Sequence, residues 1–311
     1  MNGGNATTSA GYPGSWPIKS RDVRSQFFDS SIWDDFEFRS GDIIIVSYPK
    51  SGSTWMQQIV AQILFNGAVD AEVAKLSPCL DLRLPPRAEK LAMLSGQTHR
   101  RFIKSHLPRE AVAYSPQAKY IFVARDGRDV VWSMHNHFGR ANDLHYHAFN
   151  ETAGRVGPPV VRPPESIRQY FLEWLQGDGY PLLPFWQMIR SWWEIRSMPN
   201  VLLIHYQELK DDLEGYMHRV ADFLLVQVAV VDWPRLVSHC RFDYMKRHGE
   251  QVAPLGGAFW DGGAQTFIHR GTNGRWNGVL TPADCSAYEV AARRELGDDC
   301  ASWLGTGKSR A

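Results

Sequence analysis

The sequence predicts an α/β fold, a single domain in which a central, mostly parallel sheet is flanked by helices. Compact apolar runs rich in β-branched residues stand at 43–49 (IIIVSYP), 120–124 (YIFVA) and 201–206 (VLLIHY), and such runs suit strands buried on both faces. Stretches with apolar residues three and four apart alternate with them, and strand–helix alternation is the pattern that produces a parallel sheet. A tight turn containing Gly joins the first strand to the first helix.

In chain order, MNGGNATTSAGYPGSWPIKS at 1–20 is polar and rich in Gly and Ser, lacks the apolar centre of a secretory signal, and reads as a loose arm. Residues 1–40 are taken as this arm and the segment leading into a domain spanning 41–305. After the strand at 43–49, Trp55, Met56, Ile59, Val60, Ile63 and Leu64 recur at helical spacing. The strand at 120–124 passes through a Gly-containing corner into a helix from Asp126 to Phe138. Gly139 to Pro164 has little periodicity and reads as a long loop, with 139–165 a candidate lid. Helices follow at 167–176 and 184–197, the Trp-rich FWQMIRSWWEIR packing on the sheet, and the strand at 201–206 leads into a helix from about Gln207 to Leu225. No internal repeat or domain linker interrupts the chain.

Composition narrows the function. Apolar residues make up 44% of the 311, enough for one large core. Lys and Arg total 34 against 33 Asp and Glu, so no global basic field argues for nucleic acid or an anionic membrane as partner, and any anion site is local. Cys79, Cys240, Cys285 and Cys300 are far apart, which suggests neither a zinc cluster nor a disulfide framework and points to a reducing cytoplasm. The best candidate for a membrane span, IVAQILF at 59–65, is broken by Gln62 and far short of the ~20 residues required.

The segment Tyr48-Pro49-Lys50-Ser51-Gly52-Ser53-Thr54-Trp55 sits between a buried strand and a helix, a P-loop-like phosphate-binding strand-loop-helix. A helix N-terminus offers unpaired N–H groups and a partial positive charge, Gly52 lets the backbone close on an anion, and Ser51, Ser53 and Thr54 add hydroxyl donors. An ordinary capped strand-to-helix turn uses the same residue types. A nucleotide kinase would carry Lys directly after the second Gly of G-x-x-x-x-G-K-[ST], whereas here the Lys precedes the Gly.

That order, Y-P-K-S-G-[ST]-T-W, resembles the 5′-phosphosulfate loop of the cytosolic-type sulfotransferases that use PAPS (3′-phosphoadenosine 5′-phosphosulfate), in particular bacterial-like aryl and alcohol sulfotransferases, at all eight positions. Phe102-Ile103-Lys104-Ser105-His106-Leu107-Pro108 is similar to the family's [VI]-K-[ST]-H-L-P segment. Arg125 to Ser133 (RDGRDVVWS) resembles its 3′-phosphate strand-loop-helix, and Phe267 to Trp276 (FIHRGTNGRW) its closing R-K-G-x-x-G-x-W loop. The resemblance implies PAPS as donor, PAP as product and a small-molecule hydroxyl as acceptor. It also implies that Lys50, Ser51, Gly52, Ser53 and Thr54 hold the 5′ end with Trp55 and Tyr206 near the adenine, while Arg125, Ser133, Arg270 and Gly271 hold the 3′-phosphate. Lys50 and Lys104 then meet the charge of the transfer, and His106 takes the acceptor's proton from two residues along the same extended segment. Taken singly, each has a plainer reading: an ion pair of Arg125 with Asp126 or Asp129, a solvated Arg270, a half-buried Tyr206, a His106 satisfied by a carbonyl.

Several positions depart from the family pattern. His269 replaces an Arg, so donor affinity is expected to tighten as pH falls from 8 to 5.5. Cys240, with Phe242 beside it, replaces a small hydroxyl residue near the adenine. The vertebrate pairing segment K-x-x-x-T-V-x-x-x-E has become Asn277 to Ser286, with Asn277, Pro282 and Ser286 at altered positions, so that dimer is not expected. His135, His137, His145 and His147 crowd together, but the H-x-H pair diverges on a helix and no metal is expected. Either they are the polar end of a helix, or His137, Phe138, Tyr146 and Phe149 line an acceptor pocket. A kinase-like nucleotide enzyme and a non-catalytic PAP- or PAPS-binding module are the competing functions, and the acceptor's identity is beyond the sequence.

Overall fold

The computed structural model describes residues 16–68 and 72–308, so positions 1–15 of the arm lie outside the described residues. Strands β1 (Ile43–Ser47), β2 (Phe102–Ser105), β3 (Lys119–Ala124) and β4 (Val201–His205) form one sheet in the order β2-β1-β3-β4. Every pairing is parallel. β2 adds a strand to the three expected; it is four residues long and Lys104 breaks its apolar run, so its pattern is weak.

Because side chains alternate across a strand, each strand feeds two cores. Ile44, Val46, Ile103, Tyr120 and Phe122 point to one, Ile43, Ile45, Phe102, Ile121 and Val123 to the other. Helix α1 (Ser53–Leu64) covers the second face through Met56, Ile59, Val60 and Ile63. On the first face lie α2 (Arg87–Gly96) through Leu94, α3 (Gly127–Gly139), α4 (Asp143–Glu151), α5 (Ile167–Gln176) and α6 (Phe185–Glu194). Trp192 of the Trp-rich α6 stacks on Phe122 of β3, centroids 5.8 Å apart and planes within 11°. Beyond β4 the chain forms α7 (Tyr206–Asp211), α8 (Leu213–Leu224), α9 (Trp233–Cys240), four short turns and finally α10 (Pro282–Thr306).

Three expectations are corrected. The helix over 207–225 is two helices, because Asp212 leaves helical geometry at φ −144° and its side chain accepts from Gly215 N–H to cap the second. The loop at 139–164 contains α4, capped by Asn142 and turned inward by His145 and Phe149; with a polar His as half of that buried stripe, hydropathy patterns do not register it. The last residues of the presumed loose arm are docked: Ser20 N–H donates to Glu110 O at 2.8 Å and Trp16 stacks near Tyr114. Phe27, Phe28, Ile32 and Trp33 behind them are buried in the core. The stretch 277–286 serves to start α10, with Thr281 and Asp284 forming a capping box and Pro282 in the first turn. Among the described residues no helix is long and apolar enough to cross a membrane.

At the amino ends of β1 and β2, Arg101 Nε donates to Asp42 Oδ1 at 2.9 Å, and the two side chains are 4% and 1% exposed. Removing one partner of such a pair strands the other charge in the core. Asp42→Ala is expected to lower unfolding stability by about 3–5 kcal/mol, read from the denaturant midpoint; a loss below about 1 kcal/mol would match an exposed pair and overturn the assignment.

Candidate active site

In open parallel sheets the crevice outside the carboxyl ends of the strands is where ligands bind. Here the four strands end at Ser47, Ser105, Ala124 and His205, and the next residues deliver the Lys50 loop, His106, Arg125 and Tyr206 to one side of the molecule. They line a cavity of about 1470 Å³.

The turn after β1 closes by placing Lys50 at φ 71° and Gly52 at φ 116°. The first is left-handed backbone that side chains seldom adopt outside functional sites. Glycine at 52 is required twice over, since a Cβ there would come within 2.7 Å of the Tyr206 ring. Ser51 is fully buried beneath the turn and does not line the cavity; its Oγ has no hydrogen-bond partner among the described residues. Ser53, Thr54 and Trp55 begin α1 and do line it. Trp55 is held edge-on to Tyr206 and donates through Nε1 to Cys240 O at 2.7 Å. The Cys240 side chain lies in the core and does not reach the cavity, so its expected place beside the adenine is not observed for the thiol; only its carbonyl, through Trp55, acts there. Phe242 does line the cavity, its ring filling the space that a Cβ on Gly271 would need.

His106 follows β2 beside β1, and Nδ1–H donates to Ser47 O at 2.7 Å. A carbonyl can only accept, so the proton sits on Nδ1 and Nε2 carries the lone pair. Asp81 Oδ2 accepts from the His106 backbone N–H at 2.8 Å, and the buried Lys90 ammonium donates to Leu80 O at 2.5 Å and to Leu82 O on either side of Asp81. Burial pushes the His106 imidazolium down to about 3, helped by the Lys104 and Lys50 charges against the pull of the Ser47 carbonyl. Lys104 lines the same cavity two residues away. Burial, then Lys104 and Arg125, lower Lys50 to about 7. Lys50 Nζ lies 3.1 Å from His137 Nδ1.

Arg125 bonds neither Asp126 nor Asp129. Its guanidinium donates to Asn273 Oδ1 at 2.6 and 2.9 Å, to Thr272 O at 2.9 Å and to Lys50 O at 3.3 Å, and it stacks 4.2 Å over the Tyr206 ring. One side chain thus ties the loop after β1 to the loop before Trp276. Asp126 instead pairs with Arg128 at 2.6 Å, and Asp129 accepts from Gly274 N–H at 2.7 Å. Ser133, about two turns into α3 at 1.5 Å per residue, lines the cavity with His269, Arg270 and Gly271. Burial, then the Arg275 and Arg270 charges, lower His269 to about 4. It is therefore neutral throughout pH 5.5–8 in the free protein, and Lys50 rather than His269 changes charge near neutrality.

The remaining wall is aromatic. His137, Phe138 and Phe149 line it, but Tyr146 does not: its hydroxyl turns away to donate to Phe138 O at 2.7 Å. Phe27, Phe28, Phe259, Trp260, Phe267 and Arg275 line the cavity without having been named as site residues in the sequence, and His145, weighed there only within a histidine cluster, lines it too. Phe267 and Arg275 carried a signal, since both belong to the closing motif; the other aromatic residues come from segments with no shared pattern. Among the described residues no group of three or more His, Cys, Asp or Glu side chains is arranged to hold a metal ion, and His135 is bonded to Pro164 O at 2.8 Å.

Known proteins share this fold. A crystal structure of retinol dehydratase in complex with retinol and PAP superposes with a TM-score of 0.68 at 22% identity, covering 86% of this chain and 84% of that one. A mouse sulfotransferase complexed with PAP superposes at 0.65, again 22% identical, over 88% and 90% of the two chains. At such identity they establish the shared fold. A glycolipid sulfotransferase of Mycobacterium tuberculosis is 30% identical over 94% of this chain and 96% of its own length. Mouse sulfotransferase 1B1 is 27% identical over 85% of each. The sulfotransferase domain model matches residues 40–299, and the chain belongs to that family.

Proposed function

We propose that the protein transfers the sulfuryl group of PAPS to the hydroxyl of a small, largely apolar acceptor, with His106 as general base. The observation that carries this reading is the His106 tautomer: with Nδ1–H given to Ser47 O, the ring that lines the cavity keeps a basic Nε2 beside Lys104. The Ser47 bond alone is also what a structural histidine makes; an Nε2 left unbonded among the described residues, on a cavity-lining ring next to Lys104, is what favours a base over a binding module.

The chain's own groups suit a nucleotide phosphorylated at both ends. Arg275 Nε is buried without a partner among the described residues, the N-terminus of α1 opens on the cavity, and Arg125, Arg270 and Arg275 line its other corner. Lys50, Gly52, Ser53 and Thr54 would hold the 5′ end, with Trp55, Tyr206 and Phe242 around the base, while Ser51, whose hydroxyl does not reach the cavity and whose N–H donates to Tyr48 O, shapes the turn. Arg125, Ser133, His269, Arg270, Gly271 and Arg275 would hold the 3′-phosphate. When bound, PAPS supplies the sulfuryl group and PAP is the leaving group. His106 Nε2 takes the proton of the acceptor hydroxyl as its oxygen bonds to sulfur, and Lys50 meets the negative charge left on the 5′-phosphate oxygen when the old S–O bond breaks. Lys104 steadies the transferring oxygens. Phosphate and sulfate charge offsets Lys50 and Lys104, whose fields lower His106 in the free protein, and so raises its basicity when it is needed. The glycolipid, retinol and androsterone named for relatives and fold neighbours are hydroxyl-bearing, largely apolar molecules, and the aromatic wall suits that class.

With labelled PAPS and a panel of phenols and alcohols, His106→Ala is expected to lower kcat by about 10²–10⁴ while PAP still binds. Transfer from labelled ATP, or unchanged turnover in the variant, would overturn the reading.

Lys50, facing Lys104, Arg125 and His137, sets the pH response of donor binding. A bound phosphate favours the charged amine and raises its pKa, so affinity is complete below about 7 and is lost as pH rises through it, when binding must take up a proton. Calorimetric PAP affinity is expected to fall by up to about tenfold per unit between about pH 7 and pH 9, and Lys50→Met to remove the dependence. A wild-type affinity that stays flat there excludes Lys50.

Arg275→Met is expected to weaken PAP by about tenfold, the effect of one hydrogen bond to a charged group, and to leave adenosine 5′-phosphosulfate, which lacks the 3′-phosphate, nearly unaffected. Equal losses on both ligands would put Arg275 elsewhere in the site.

A further inference from the structure

His145 is 3% exposed and lines the cavity from α4, yet neither Nδ1 nor Nε2 has a hydrogen-bond partner among the described residues. Its neighbours explain why. Rings of Phe138, Tyr146, Phe149, Phe259, Trp260 and His137 surround it at centroid distances of 4.9–6.2 Å. The polar atoms nearby are committed elsewhere: the Tyr146 hydroxyl donates to Phe138 O, Trp260 Nε1–H to His137 O, and His137 Nδ1 meets Lys50. Asn142, whose side chain caps the helix, accepts from the His145 backbone N–H and not from its ring.

A buried polar group without a partner costs about 1–3 kcal/mol, and such groups are rare unless something else supplies the bond. A leucine or phenylalanine at this position would fill the cage without that cost. The imidazole also sits at a defined place along the chamber. His137 contacts the Lys50 ammonium, and His145 lies on the other side of His137, centroids 6.1 Å apart and planes perpendicular. A separate run of rings leads from His106 through Phe28 and Phe27 to Phe149, which packs against His145 at 4.9 Å. His106 and His145 are thus separated by three rings on an aromatic chamber, one at the proposed reaction centre and the other away from it.

We propose that His145 recognises a second hydroxyl on the acceptor, distal to the one that reacts, so that the preferred substrates are ring-bearing diols or bisphenols. A neutral imidazole presents one N–H donor and one lone-pair acceptor, and a hydroxyl can answer either, while the aromatic rings between bury the apolar body. The inference rests on the sulfotransferase reading of the same cavity.

The test uses matched acceptors that differ only in the distal hydroxyl: 4,4′-biphenol against 4-phenylphenol, and 5α-androstane-3β,17β-diol against 5α-androstan-3β-ol. For the full-length protein with PAPS, kcat/KM is expected to favour the diol of at least one pair by about tenfold, the ratio set by leaving one buried polar group unpaired. In His145→Phe that ratio is expected to collapse to about one, and in His145→Gln, which keeps a donor and an acceptor, to recover in part. Calorimetric PAP binding on the same samples reports whether each variant is folded, and calorimetric binding of the acceptors with PAP present reads the diol preference without turnover. Absence of turnover on every acceptor, with the binding preference intact, would strike the proposed reaction and leave the His145 contact standing. No preference in either pair, or a preference that persists in folded His145→Phe, overturns the contact while leaving the reaction untouched.

Discussion

The hydrogen bond from His106 Nδ1 to the carbonyl of Ser47 is the interaction around which the site is arranged. It exists because β2 runs parallel to β1 with Val46 opposite Ser105, so the residue leaving β2 arrives beside the last carbonyl of β1. The same bond fixes which nitrogen is basic and how far the ring stands from the loop that begins three residues after Ser47. Asp81 and Lys90 support it from behind, one holding the His106 amide and the other the chain on both sides of Asp81. Sheet register, an ordinary product of strand pairing, thus sets the geometry of the proposed reaction centre.

Electrostatics gives the site its second constraint. His106 is buried and Lys50 half-buried, and both are shifted toward neutrality by desolvation and by neighbouring cations. A cavity with such a surplus of positive charge is poorly solvated on its own, and an anion relieves it. Arg125 has a structural part as well. Its bonds to Asn273, Thr272 and Lys50 O make it a brace between two loops as well as a wall of the cavity.

What the sequence disclosed and what it withheld divide along a physical line. Strands β1, β3 and β4 were legible because burial on both faces demands unbroken apolar runs. Lys50, Arg125 and His106 could be named from the likeness of their motifs to those of a known family, since β2, which delivers His106, has too weak a strand pattern to place it. The aromatic wall could not. Phe27 and Phe28 belong to a stretch read as an arm, Phe259 and Trp260 to a region without periodicity, and His145 to a helix whose inward face is His and Phe; only tertiary packing brings them together. Cys240 and Tyr146 show the converse error. Both stand near the site in the chain, but one side chain is turned into the core and the other is bonded to the Phe138 carbonyl. Proximity in sequence locates a backbone, not the direction of a side chain.

Gly52 and Gly271 sit in the two signature loops, and at both the missing Cβ makes room for a ring, Tyr206 in one case and Phe242 in the other. Their identity is thus enforced by the packing of the folded chain itself, before any ligand is considered. A descendant that had lost its chemistry would be under the same steric compulsion to retain both glycines. Their persistence in a homologue testifies to an intact scaffold, and a claim of activity has to be read from the lysines and the imidazole instead.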